Sequence, residues 1–82
     1  MNIEIDYRNF DIEHIQEGNY VYFYTFIRSA QVKLSPRVEL ETGTTFETFT
    51  KNTEIMKILE EELALSIKDN IRFLNKGPLR LA

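Results

Sequence analysis

Only one histidine, His14, is present, and there is no cysteine, so thiol catalysis, disulfides and thiolate metal sites are all excluded at once. His14 has no second histidine at metal-ligand spacing; the acidic residues near it, Asp11 and Glu13, alternate along an extended chain onto the face opposite the imidazole. It reads as an ordinary strand histidine rather than a ligand or general base. The densest carboxylate run, Glu60-Glu61-Glu62, falls in a helical stretch where successive side chains point about 100° apart, so the three cannot converge on one atom. They form a solvated helix face. No phosphate-cradling or nucleophile-elbow glycine motif occurs, and no catalytic residue, metal site or cofactor is expected.

Two groups of side chains are better suited to binding. Tyr20, Tyr22 and Tyr24 alternate with Val21 and Phe23 in one run; phenols combine a large contact area with a polar tip and are enriched at protein interfaces. Lys68, Arg72 and Lys76, spaced by four, form a helical ridge, with Arg80 beyond it. That ridge offers a grip for phosphates, or simply complements the negative end of a helix dipole. The first 62 residues carry six basic and twelve acidic side chains, and the last 20 carry four basic and one acidic. With a net charge of −3 and no basic residue inside the tyrosine run, nucleic acid is not expected as the main partner.

These residues need elements to hold them. At 82 residues, 43% hydrophobic and 28% charged, the chain is expected to fold as a single domain over 1–82. Ile3, Ile5 and Tyr7 alternate with acidic residues as in a half-buried strand, and Phe10 to Gln16 suggests a second. Glu17-Gly18-Asn19 supplies a hairpin turn. Tyr20 to Arg28 is the strongest strand signal and is expected at the centre of the sheet, with both faces apolar enough to need cover. Gln31 to Glu41 reads as an edge strand broken or bulged at Pro36. Thr45 to Thr50 leans towards a short strand on its threonine content, although Phe46 and Phe49 have helical spacing.

From an N-cap at Asn52 or Thr53, Ile55, Leu59, Leu63, Ile67 and Ile71 recur every four residues, with Met56 and Leu74 beside them. Gly77-Pro78 is the expected stop. The fold class is therefore α+β: a small, mostly antiparallel sheet of three or four strands (about 2–50), one long C-terminal helix (about 53–75) packed on one face, and a short tail (76–82). Ile58 and Leu65 lie about 120–160° away from the helix stripe, at 100° per residue, and add apolar surface outside it.

These features predict a small non-enzymatic protein-binding module, an inhibitor or adaptor, with Tyr20, Tyr22, Tyr24, Ile58 and Leu65 as contact residues. A structural homo-oligomer using the same surface is the alternative. A nucleic-acid-binding domain using Lys68, Arg72, Lys76 and Arg80 ranks third. The Ile, Asn, Tyr and Phe usage and the small size suit a phage or mobile-element protein. An acidic N-terminus and the lack of any long apolar run predict a cytoplasmic chain without a membrane span.

Overall fold

The structure, a computed structural model, describes the backbone of residues 1–81 and the side chains of residues 1–72. The elements in chain order are β1 (Asn2–Ile5), β2 (Arg8–Asp11), β3 (Glu13–Glu17), β4 (Tyr20–Ile27), β5 (Ala30–Glu39), α1 (Phe46–Phe49) and α2 (Thr53–Leu81). The architecture is α+β, as the sequence predicts. The strands form an antiparallel meander, but they divide into a two-stranded sheet, β1-β2, and a three-stranded sheet, β3-β4-β5. Ile12 separates β2 from β3; there the chain bonds to Met1 instead, through the Ile12 N–H to the Met1 carbonyl at 2.7 Å.

Each hairpin is closed by two residues. Gly18 (φ 61°) opens the β3-β4 turn, a position where a side chain would strain the backbone. The other two turns hold non-glycine residues at positive φ, Asp6 and Tyr7 (φ 50° and 66°) and Arg28 and Ser29 (φ 54° and 67°), of which only Asp6 is of a type enriched there. Both central residues of each turn are left-handed, the geometry that matches the right-handed twist of the flanking strands. Tyr7 therefore leaves the alternation of Ile3 and Ile5 and stands 95% exposed at the turn.

β4 is central, as expected, and it sets the orientation of the sheet. Val21, Phe23, Thr25 and Ile27 face the core with Leu34 and Val38 of β5. Leu59, Leu63 and Ile67 of α2 cover this face, joined by Ile3, Ile5, Phe10 and Ile12 from the β1-β2 hairpin and by Phe46 of α1. Thr25 can be buried because its hydroxyl donates to the Asp11 carbonyl at 2.9 Å, where β2 ends. Burying the three phenols of the alternate set would require a partner for each hydroxyl, so the odd-numbered set goes inward.

β5 is an edge strand bulged near its proline. Tyr22 pairs with Arg37 and Tyr24 with Lys33, so three residues of β5, Leu34 to Pro36, oppose Phe23 alone. The Ser35 N–H is satisfied by α2 instead, donating to the Ser66 hydroxyl at 3.0 Å.

Three sequence expectations are corrected. Thr45 to Thr50 contains a helical turn rather than a strand, because Thr45 caps it by accepting from the Thr48 N–H at 3.2 Å and Phe46 turns into the core. Ile55 is exposed: a spacing of four drifts by about 40° per step from the 3.6-residue period, and two steps from Leu63 carry it off the buried stripe. α2, capped by Asn52 through its side-chain oxygen and the Ile55 N–H at 3.2 Å, continues past Gly77 and Pro78 to Leu81. Leu74 lies outside the described side chains.

Candidate functional site: the outer face of the sheet

The face of β3-β4-β5 turned away from the helices is built from three rows that the strand register fixes. Directly paired residues on antiparallel strands share a face, so Glu13, Tyr24 and Lys33 form one row, Ile15, Tyr22 and Arg37 the next, and Glu17, Tyr20 and Glu39 the third. Phe26, paired with Gln31, extends the centre line. Tyr20, Tyr22 and Tyr24 are half-buried there, while Phe26 is 54% and Ile15 48% exposed. Among the described residues no helix or loop packs over this face; its tyrosines are shielded by their neighbours.

Two cations lie against the tyrosine rings. The Lys33 Nζ sits 4.5 Å from the centroid of the Tyr22 ring, and the Arg37 guanidinium carbon sits 4.7 Å from that of Tyr20. Each is attracted by the negative face of the ring, worth about 0.5–1 kcal/mol at an exposed site. Tyr20 and Tyr22 are 6.3 Å apart between centroids, and Tyr24 meets Phe26 edge-on at 6.2 Å. Ile15, Tyr22, Tyr24, Gln31 and Lys33 line a shallow depression of about 170 Å³ in this surface. The charges are sorted by strand: Glu13 and Glu17 on β3, an uncharged aromatic line on β4, Lys33 and Arg37 on β5, with Glu39 as the exception at the end of β5.

Ile58 and Leu65 are 57% and 61% exposed, as their angular position predicts, but they lie on α2, which covers the opposite sheet face. The structure therefore does not join them to the tyrosines. Leu65 borders a separate groove of about 320 Å³ with Ser35, Pro36, Glu62, Ser66 and Asp69, between α2 and the β5 bulge. Lys68 and Arg72 are exposed on α2, again away from the tyrosine face, while Lys76 and Arg80 lie outside the described side chains. His14 pairs with Phe23 on the inner side of the sheet, and its ring packs against Phe46 with 4.6 Å between centroids, at the rim of the core.

Lys33 and Arg37 are the site residues that sequence reasoning missed. They are 11 and 17 positions from their tyrosines, and only the register across β4-β5, including the bulge, places them on the rings. Pro36 signals that bulge without giving its size. Among the described residues, no three His, Cys, Asp or Glu side chains are grouped to hold a metal ion, and no helix is long and apolar enough to cross a membrane. Compared with known proteins, the chain matches no family model, no curated protein and no solved structure.

Proposed function

We propose that this chain is a non-catalytic binding module of the cytoplasm that docks a protein surface, its own or another's, against the outer face of β3-β4-β5. The observation that carries this reading is the position of Tyr20, Tyr22, Tyr24 and Phe26 in one line on the sheet face that, among the described residues, no other element covers. A partly exposed aromatic line of this kind supports an interaction site, since aromatics are enriched at interfaces. An inhibitor or adaptor role and a homo-oligomeric role both follow from it and differ only in the partner.

The test is a comparison of wild type with Tyr22→Ser/Tyr24→Ser as bait in a lysate, with far-UV circular dichroism confirming that both are folded. Proteins held by the wild type, including further copies of the chain, should be lost from the double variant. Equal retention by the two baits would remove the sheet face as the binding surface.

Nucleic acid is the second reading, and the two cations on tyrosine rings favour it more than the sequence does, since stacking platforms combine aromatics with basic groups. Three carboxylates, Glu13, Glu17 and Glu39, share that face, and the α2 cations Lys68 and Arg72 are on another side of the molecule. Binding of a single-stranded oligonucleotide that weakens steeply with salt would support this reading over the first.

A further inference from the structure

We infer that the open edge of β3 takes an extended peptide of another protein as an added antiparallel strand, and that this peptide carries lysine or arginine two residues to either side of an apolar residue. The edge is separate from the tyrosine face, and a strand can bind there whether or not that face docks a protein.

The backbone identifies the edge. β2 and β3 follow one another with only Ile12 between them, and they bond to neighbours on opposite sides. The Ile12 N–H reaches the Met1 carbonyl, just ahead of β1, while the Asp11 carbonyl accepts from Thr25 of β4. On the β4 side, a two-residue turn with Gly18 but not Asn19 at positive φ makes Glu17 and Tyr20 the hydrogen-bonded closing pair. Bonding to β4 then recurs at every second residue, Ile15 and Glu13. The N–H and C=O groups of His14 and Gln16 therefore point the other way, along the side on which Ile12 meets Met1. Among the described residues no strand pairs with β3 on that side, and all five of its residues are exposed.

The other outer strands are guarded against such pairing. β1 is only four residues long, and β5 carries Lys33, Pro36 and its bulge, with the Ser35 N–H taken by Ser66 of α2. β3 has no lysine, no proline and no bulge. Its charges are Glu13 and Glu17, on the outer face to either side of the 48% exposed Ile15, and among the described residues neither carboxylate has a cationic partner.

Those carboxylates choose the occupant. A second copy laid antiparallel over all five residues pairs His14 with Gln16 and sets Glu13 against the other copy's Glu17 twice, and like charges directly opposite repel. Sliding that copy by two residues runs it into Met1 in one direction and in the other leaves only Gln16 against Gln16. A foreign strand with cations opposite Glu13 and Glu17 and an apolar side chain opposite Ile15 converts both repulsions into attractions, with opposed Cβ atoms about 5 Å apart. Main-chain bonds to His14 and Gln16, about four in all, supply affinity for any extended chain, and the outer row supplies the preference for cations.

The experiment is an NMR titration of the isotope-labelled chain with the peptide Thr-Lys-Thr-Val-Thr-Lys-Thr, acetylated and amidated at its ends. The His14 and Gln16 amides should shift and gain protection from hydrogen exchange. Glu13→Gln/Glu17→Gln, two changes at exposed positions, should stay folded by far-UV circular dichroism and bind about fivefold more weakly, as two exposed ion pairs are lost. N-methylation of the two threonines flanking the valine should abolish binding, because their N–H groups face β3, whereas N-methylation of the valine should leave it intact. Tyr22→Ser/Tyr24→Ser should bind the peptide as wild type does, which separates this result from any on the tyrosine face. Loss of peptide binding in that folded variant would move the site to the tyrosine face and overturn the inference. So would unchanged His14 and Gln16 amides at millimolar peptide, equal binding of a peptide with glutamate in place of lysine, or indifference to which residues are N-methylated. Protection of the same two amides by raising the concentration of the chain alone would put a second copy on the edge and overturn the foreign strand.

Discussion

Asp6 and Tyr7 hold a backbone shape that costs any residue with a Cβ about 1 kcal/mol or more, and no compensating hydrogen bond from the Tyr7 ring is needed, since it is 95% exposed. Replacing Tyr7 by glycine should therefore stabilise the domain by about 0.5–1 kcal/mol in urea unfolding, the relief of left-handed strain exceeding the added freedom of the unfolded chain. A loss of stability would show that the ring contributes to folding. The same hairpin shows a limit of the sequence at this scale. Alternation from Ile3 through Tyr7 extends the strand one pair too far, because Asp-Tyr carries none of the Asn-Gly or Asp-Gly chemistry that marks such a turn. Arg28-Ser29 escapes notice for the same reason, whereas Gly18 is legible. The packing of His14 on Phe46, 32 positions away, was not legible, because nothing in the sequence brings those two side chains together.

Among the elements, the long helix and the central strand are the most legible, since each states its period over many residues. Drift against that period then decides which positions stay buried. Leu63 sits at the middle of the stripe with no measurable exposure, and Leu65, two residues on, is turned out to solvent. Leu63→Ala should cost about 2–5 kcal/mol in a denaturant titration, and Leu65→Ala should stay within about 0.5 kcal/mol of wild type. Comparable losses at both would mean that the exposed flank of α2 is covered in solution.

What the elements conceal is pairing. Continued in the Tyr22–Arg37 register without a bulge, β4-β5 would set Tyr24 opposite Ser35 rather than Lys33. Two extra residues on β5 thus decide which cation meets which ring, and nothing in a single chain reports their number. The direction in which β4 turns its two faces was equally hidden, because both read as apolar. It becomes intelligible once Thr25 is seen bonded to the Asp11 carbonyl, a satisfied hydroxyl that makes the odd-numbered face the cheaper one to bury.

At the scale of the molecule, every covering element lies on one side. The β1-β2 hairpin, α1 and α2 all close the inner face of the three-stranded sheet, and among the described residues nothing covers the tyrosine face. A domain of 82 residues buries a modest share of its chain and has little stability in reserve. Under the homo-oligomeric form of the proposed function, association of folded chains adds stability by mass action, and the thermal midpoint rises with protein concentration. Raising the chain from 1 to 100 times the dissociation constant of that association adds about 1–3 kcal/mol, a shift of several degrees for a domain of this size. Tyr22→Ser/Tyr24→Ser should melt at a concentration-independent temperature close to that of dilute wild type, since its inner core is unchanged. A wild-type midpoint that does not move over that range would deny the coupling between sheet face and stability. A variant that melts far below dilute wild type would instead assign the tyrosines a part in holding the monomer together, through the rings that Lys33 and Arg37 cover.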